Sequence, residues 1–228
     1  MNYFVTGTDT GVGKTLISCA LQHAFAAQGL RVAGMKPVAT GCDDDERNGD
    51  VKKLRAASNI LASYGQINPY NFFPPIAPHI AARNVGVRID FARIMTSFNE
   101  LTSQADVVIV EGIGGFKVPL NEQQDSSSLA QQMELPVILV VGMRLGCLNH
   151  ALLTAGAIKA CGLTLAGWVA NVLDANMAAL RDNIVALEQR LAAPLLGVVE
   201  YQAQPDAHAA AAKLDIKLLN TSGADSNA

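Results

Sequence analysis

The chain has 228 residues, half of them hydrophobic, with a formal net charge of −3 at pH 7 and four cysteines. It shows no Lys/Arg cluster, which argues against a nucleic-acid-binding surface, and no paired cysteine spacing, which argues against a zinc site. It also shows no signal-peptide pattern and no apolar run long enough to cross a bilayer, which argues against export and a membrane span. We therefore expect a soluble, cytoplasmic protein with reduced thiols, and the length suits one α/β domain.

Strand-like and helix-like segments alternate along the chain. Predicted strands cover residues 3–6, 31–35, 106–110, 136–141, 165–170 and 195–199, and predicted helices cover residues 14–28, 148–160 and 177–191. This alternation is typical of an α/β fold with a single doubly wound, mainly parallel sheet and helices on both faces. We assign the domain to residues 1–220, and predict a solvated acidic loop at 43–46, an irregular proline-rich loop at 68–78 and a disordered tail at 221–228.

A glycine-rich segment, residues 7–15 (GTDTGVGKT), lies between the first predicted strand and the first predicted helix. Its backbone N–H groups and the helix N-terminus are suited to hold phosphates, as in a P-loop. Lys14 would reach the β- and γ-phosphates, and the Thr15 hydroxyl would ligate Mg²⁺. The strict P-loop pattern has glycine where this chain has Thr8, so the segment is a P-loop variant. The alternative is a glycine-rich turn with a surface lysine.

Polar side chains follow other predicted strands at the points where these strands end. Lys36 follows the second strand, Glu111 the third and Asn171 the fifth. Residues 142–149 follow the fourth predicted strand, and Glu200 follows the sixth. Because ligands of open α/β sheets bind beyond the carboxyl ends of the strands, we expect the P-loop to share one crevice with residues 36–41, 111–115 and 142–149, with Asn171, and with Glu200 and its neighbours. Glu111 ends an apolar strand, so its charge should have a partner. The alternative for Lys36 is a surface lysine, for Glu111 a capping carboxylate and for Asn171 a loop asparagine.

Several segments resemble the dethiobiotin synthetase family, which belongs to biotin biosynthesis. They are YFVTGTDTGVGKT at 3–15, MKPV at 35–38, NPY at 68–70, PH at 78–79, VEGIGG at 110–115, LVVG at 139–142, LGCLNHA at 145–151, GWVAN at 167–171 and PLLG at 194–197. The resemblance extends over residues 2–203 and is far more specific than a P-loop alone.

The resemblance implies a P-loop fold and an ATP-dependent ring closure. In the family, one amine of 7,8-diaminononanoate is carbamated by CO₂, and the carbamate attacks the γ-phosphate to give a carbamic–phosphoric anhydride. The second amine then closes the cyclic urea and expels phosphate. The resemblance therefore implies ATP and 7,8-diaminononanoate as substrates, CO₂ or bicarbonate as the carbon source, Mg²⁺ as the cofactor, and a homodimer with the active site near its interface.

The resemblance also implies roles for individual residues. Lys36 and Lys14 are the implied catalytic residues, and Thr15, Asp50 and Glu111 the implied magnesium ligands. Implied nucleotide contacts are Gly11, Val12, Gly13, Lys14, Thr15, Leu16, Asp50, Glu111, Gly112, Ile113, Gly114, Asn171, Val172, Glu200, Tyr201 and Gln202. Implied substrate contacts are Thr10, Thr40, Gly146, Cys147, Leu148 and Asn149, of which the last four would hold the distal carboxylate in the neighbouring subunit's site.

Some of these positions have alternatives. Asp50 is also placed as a helix N-cap would be, and the Thr40 hydroxyl as a turn residue would be. Glu200 stands where compared family members have proline, which leaves the base contacts and strict ATP preference open.

Three other functions are compatible with a P-loop. A P-loop amide ligase of the cobalamin type would need a glutamine-amidotransferase domain, for which 228 residues leave little room. A switch ATPase of the cell-division or partition type would carry a signature lysine five positions before the P-loop lysine, where this chain has Asp9. A pure binding module would bind nucleotide without substrate-dependent turnover.

Overall fold

The computed structural model describes residues 1–43 and 47–223. Most of the predicted acidic loop, residues 44–46, and residues 224–228 of the predicted tail lie outside this part of the chain. The strands are β1 (Asn2–Gly7), β2 (Val32–Met35), β3 (Val38–Thr40), β4 (Tyr70–Phe72), β5 (Val107–Glu111), β6 (Val137–Met143), β7 (Leu165–Val172) and β8 (Leu195–Val199). The helices are α1 (Lys14–Ala26), α2 (Gly49–Ala57), α3 (Tyr64–Ile67), α4 (Pro78–Asn84), α5 (Phe91–Gln104), α6 (Ser126–Met133), α7 (Cys147–Ala160), α8 (Leu180–Glu188), α9 (Ala207–Ala211) and a final 3₁₀ helix, Ile216–Gly223.

The central sheet has the strand order β2-β5-β1-β6-β7-β8, and every neighbouring pair is parallel. The order reverses direction beside β1, so the carboxyl ends of β1, β2 and β5 lie together at the switch point where such sheets bind ligands. The predicted parallel, doubly wound sheet is therefore confirmed.

Helices cover both faces of this sheet. Side chains of β1 alternate between two hydrophobic clusters: Phe4 packs with the cluster that includes α5, whereas Tyr3 and Val5 pack with the cluster that includes α1. A strand whose successive side chains are both buried must be covered on both faces, which explains the continuous apolar sequences of β5 and β6. Among the described residues, no helix is long and apolar enough to cross a membrane.

The structure differs from the predicted elements between residues 38 and 104. Residues 68–78 are not a continuous irregular loop, because β4 pairs in parallel with β3 and Pro78 opens α4. Helices α2, α3, α4 and α5 lie in this region, where no helix is predicted, and α6 and α9 are two further unpredicted helices later in the chain.

The predicted helix 177–191 is also shorter in the structure. It begins at Leu180, because Ala179 adopts a left-handed φ of 53°, and it ends at Glu188. The final 3₁₀ helix extends into the segment 221–228 for which a tail is predicted.

The packing of β8 gives a stability prediction. A Cβ atom on Gly197 would lie 2.1 Å from the main-chain oxygen of Lys213, and a backbone atom yields less readily than a flexible side chain. We expect Gly197→Ala to lower the free energy of unfolding by about 3 kcal/mol through overpacking. Chemical denaturation would measure this loss, with Gly65→Ala as the control, because a Cβ there meets nothing within 4 Å. Equal stability of the two variants would contradict the packing of β8.

Candidate active site

The glycine-rich segment forms a loop between β1 and α1, as predicted. Gly13 immediately precedes α1 with a left-handed φ of 91°, and a Cβ at this position would lie 2.2 Å from the Asn171 side-chain nitrogen. Only glycine fits both conditions without strain. The Lys14 ammonium is buried and donates to the main-chain oxygen of Asp9 at 3.0 Å. The loop therefore presents backbone N–H groups and one buried cation at the start of a helix, an arrangement suited to phosphates.

A buried ion cluster lies beside this loop. Lys36 follows β2 and Glu111 ends the adjacent β5, so neighbouring strands carry the two side chains to the same place. The Lys36 Nζ lies 2.5 Å from Glu111 Oε1 and 3.0 Å from Asp50 Oδ2. The Thr15 hydroxyl donates to the same Glu111 oxygen at 2.9 Å. The predicted partner for the Glu111 charge is therefore Lys36, and neither residue is on the surface.

Asp50 approaches the cluster from α2. The N-cap of this helix is Asn48, whose side-chain oxygen accepts from the backbone N–H groups of Asp50 and Val51. The alternative role of Asp50 as the N-cap is therefore wrong. Because Asn48 holds the helix start, the Asp50 carboxylate is free to reach Lys36 at 3.0 Å.

The surroundings of the charged groups shift their pKa values. Burial, followed by repulsion from Lys36, lowers the pKa of Lys14 to about 8. Burial also acts to lower the pKa of Lys36, but attraction to Glu111 and Asp50 outweighs it and the pKa is raised. The pKa of Asp50 is lowered because Lys36 outweighs the effect of burial. Both lysines are thus mainly charged at neutral pH, but Lys14 loses its proton as the pH rises through about 8.

The cluster also offers oxygen ligands. Glu111 Oε2 is buried and has no hydrogen-bond partner, an arrangement that costs free energy unless a ligand satisfies it. The Thr15 hydroxyl and the Asp50 carboxylate lie on the same cleft wall. Carboxylate and hydroxyl oxygens are the donors that Mg²⁺ prefers, so the residues fit this cation.

The loop and the cluster line one cleft of about 800 Å³. This volume is large enough for a nucleotide together with a small substrate. The predicted site residues in its wall are Thr10, Gly11, Gly13, Lys14, Thr15, Leu16, Lys36, Thr40, Asp50, Glu111, Ile113 and Gly114. Wall residues that are not among the predicted site residues include Asn48, Lys53, Val118, Pro205 and the segment 75–78.

Other predicted nucleotide contacts lie outside this wall. Val12, Gly112 and Val172 are buried beside it, and Glu200 and Tyr201 are exposed after β8. Gln202 is half-buried and accepts from the Asp206 backbone N–H.

Asn171 is buried and supports the loop from outside the cleft wall. Its amide nitrogen donates to the Val12 main-chain oxygen at 2.9 Å, so one amide N–H is already used within the chain. The predicted adenine contact would use the remaining polar atoms of this side chain.

The four predicted carboxylate-binding residues also lie apart from the cleft. Gly146, Leu148 and Asn149 line a separate cavity of about 440 Å³, and Cys147 is buried at the start of α7. These four residues therefore do not line the main cleft of their own chain.

Comparisons with known proteins agree with this arrangement. A family model described as an AAA domain matches residues 1–209. The ATP-dependent dethiobiotin synthetase of Nitrosospira multiformis is 56% identical, and the alignment covers 96% of this chain and 97% of the relative. The ATP-dependent dethiobiotin synthetase of Aromatoleum aromaticum is 53% identical over 93% of this chain and 96% of the relative.

Solved structures of lower identity share the fold. The cell division ATPase MinD of Pyrococcus furiosus superposes with a TM-score of 0.55 at 18% identity, covering 96% of this chain and 97% of that chain. The signal recognition particle receptor FtsY of Elizabethkingia anophelis gives a TM-score of 0.52 at 21% identity, covering 96% and 64%. These likenesses establish the P-loop architecture alone, whereas the two close relatives go further: the chain belongs to the family of ATP-dependent dethiobiotin synthetases.

Proposed function

We propose that this chain forms dethiobiotin from 7,8-diaminononanoate, CO₂ and ATP, with Mg²⁺ as the cofactor. The observation that carries this proposal is the buried cluster of Lys36, Glu111 and Asp50 beside the phosphate loop. Phosphoryl transfer depends on positioning and charge neutralisation, and this cleft offers two lysines and two carboxylates for both. A role as a switch ATPase is disfavoured, because the position of the signature lysine holds Asp9.

The proposed reaction begins when one amine of the substrate adds to CO₂ and loses a proton, which gives a carbamate. A carbamate oxygen then forms a bond to the γ-phosphorus, and the bond from that phosphorus to the bridging oxygen of ADP breaks. Lys14 would stabilise the β- and γ-phosphates, and Lys36 the charge on the transferring group, because preorganised cations in a dry site stabilise such charge strongly. The second amine finally attacks the carbonyl carbon and loses a proton to water. The bond between that carbon and the phosphorylated oxygen breaks, so phosphate leaves with this oxygen.

Magnesium would be held by Thr15, Asp50 and Glu111. The unpartnered Glu111 Oε2 and its neighbouring oxygens support this assignment. When bound, Mg²⁺ would neutralise charge on the β- and γ-phosphate oxygens. Lys36 occupies one side of the same carboxylates, so it balances their charge in the structure described here.

We further propose a homodimer. The segment 146–149 lies outside its own chain's cleft, and Leu145 beside it is 99% exposed. Leu153 on α7 is also exposed, and such apolar side chains are typical of surfaces that another chain covers. Sedimentation at the dimer mass supports this proposal, whereas a fully active monomer contradicts it.

The free thiols of Cys19, Cys147 and Cys161 fit the reducing cytoplasm as the proposed location.

The experiment that tests the function uses the purified chain with 7,8-diaminononanoate, bicarbonate, Mg²⁺ and ATP. We expect dethiobiotin, detected by mass spectrometry, in an amount equal to the ADP released. Each omitted component should abolish the product. Release of ADP at the same rate with and without the diamine, and with no dethiobiotin, would reject the proposal and favour a switch ATPase.

The pKa of Lys14 predicts how ATP capture depends on pH. With a pKa of about 8 in the free protein, the ammonium loses its proton as the pH rises through this value. We expect kcat/KM for ATP to fall about tenfold per pH unit above this pKa, because this parameter reports the free enzyme. Bound phosphates favour the protonated lysine, so kcat should persist to higher pH.

Initial rates at saturating diamine would measure both parameters. The control is Lys14→Arg, whose guanidinium stays charged throughout this range. Any activity that the control retains should not decline near pH 8. The same decline in both proteins would assign it to another group.

A further inference from the structure

Asp9 of the phosphate loop connects three groups. Its Oδ2 accepts from Arg144 Nη2 at 2.6 Å, and its Oδ1 accepts from the Thr10 backbone N–H at 2.7 Å. Its main-chain oxygen accepts from the Lys14 ammonium at 3.0 Å. Asp9 therefore joins Arg144 to the Lys14 ammonium, through its side chain on one side and its main-chain oxygen on the other.

Arg144 lines a different cavity from the main cleft. It lies between β6 and α7, directly before the segment 145–149, and it lines the 440 Å³ cavity together with Leu145, Gly146, Leu148 and Asn149. Asp9, by contrast, lies in the wall of the main cleft. The ion pair is thus a direct link between the phosphate loop of one cleft and the segment that the resemblance assigns to the substrate's carboxylate in the neighbouring subunit's cleft.

We propose that the Asp9–Arg144 ion pair is a positioning device that fixes Lys14 of the phosphate loop relative to the segment 146–149. For its link to turnover, this inference rests on the proposed function. The side chains of Arg144 and Asp9 are 44% and 50% exposed, so the pair adds little to the stability of the fold. Small displacements of catalytic groups, however, cost rate steeply. The negative charge of Asp9 attracts Arg144, whereas a lysine at position 9 would repel it.

The test compares Asp9→Asn, Arg144→Gln and the double variant with the unaltered chain. We expect each single variant to weaken Mg-ADP binding about 10-fold and to lower kcat for dethiobiotin formation about 10-fold. The double variant should lose no more than either single variant, because both substitutions break the same contact. Arg144→Lys, which keeps the charge, should recover most of both properties.

The control is the Arg31–Asp106 ion pair, which has the same 2.6 Å length and lies at the amino-terminal end of the sheet, away from the cleft. Arg31→Gln should leave ADP affinity and kcat within about twofold of the unaltered chain, as for an exposed pair. Thermal unfolding of Arg144→Gln should match that of Arg31→Gln.

Two outcomes would overturn the inference. One is ADP affinity in Asp9→Asn and Arg144→Gln equal to that of Arg31→Gln, and the other is losses that add in the double variant. Because ADP affinity is measured without the diamine, it tests the ion pair even if the unaltered chain forms no dethiobiotin. Failure of the unaltered chain to form dethiobiotin would reject only the proposed function.

Discussion

Lys36→Ala is expected to lower kcat for dethiobiotin formation by about 10³-fold, the loss typical of removing a preorganised charge from a reacting group. Lys36 is 4% exposed, and its ammonium is held between Glu111 and Asp50. Water cannot easily replace a cation at such a buried site. Binding of Mg-ADP should fall much less, because Lys14 and the loop backbone remain in place.

Single-turnover kinetics would measure the chemical step, and ADP titration would measure binding. Lys217→Ala is the matched control, because Lys217 is exposed and lies outside the cleft wall. A thermal unfolding profile of each variant would show the fraction folded. If folded Lys36→Ala kept near-full activity, the catalytic role assigned to this lysine would be wrong.

Glu111→Gln is expected to abolish turnover and also to destabilise the fold. The substitution removes the carboxylate nearest to Lys36 and the oxygen proposed for Mg²⁺. Breaking a buried ion pair by removing one partner costs about 3 kcal/mol or more, since the remaining charge loses its compensation. Asp50 still pairs with Lys36 but is partly exposed, so it compensates only in part. Chemical denaturation and Mg²⁺-dependent ATP turnover would measure the two effects.

A double variant separates the two effects. Glu111→Gln combined with Lys36→Met removes both charges, and replacing a whole buried pair is often neutral for stability. We expect the double variant to regain most of the lost free energy of unfolding while it stays inactive. Stability as low as in Glu111→Gln alone would show that the Lys36–Glu111 contact is not what Glu111 contributes to the fold.

The central part of the site could be predicted from the sequence because it depends on local patterns. Apolar runs followed by Lys36 and by Glu111 predict two strand ends, and the parallel sheet places these ends side by side. The phosphate loop is likewise a local motif between a strand and a helix. The prediction of one shared crevice holds for the phosphate loop, Lys36 and Glu111, which line the same cleft. It is wrong for residues 142–149, Asn171 and Glu200, which lie outside the wall of this cleft in their own chain.

Other features depend on contacts that local patterns do not show. The pairing of β3 with β4 joins strands of three residues each, and such short strands carry no clear periodicity. The start of α8 is set by the left-handed conformation of Ala179, a residue type that ordinarily favours helix. Pro205 reaches the cleft from the loop after β8, which only the tertiary fold reveals.

The helix α5 could have been predicted from the sequence. Its buried residues Phe91, Ile94, Phe98 and Leu101 follow the spacing of one helix face, and Asp90 caps its first turn by accepting from the Ala92 backbone N–H.

The most direct test of the proposed chemistry follows an oxygen atom from bicarbonate to phosphate. The chain would be mixed with ¹⁸O-labelled bicarbonate, 7,8-diaminononanoate, Mg²⁺ and ATP in unlabelled water. The reaction would be stopped before the bicarbonate and CO₂ exchange their label with water, and the released phosphate would be analysed by mass spectrometry. If a carbamate oxygen attacks the γ-phosphorus, the released phosphate carries one labelled oxygen, in step with dethiobiotin and only when the diamine is present. Unlabelled phosphate from an actively turning-over protein would show that water is the nucleophile, and would contradict phosphoryl transfer to a carbamate in this cleft.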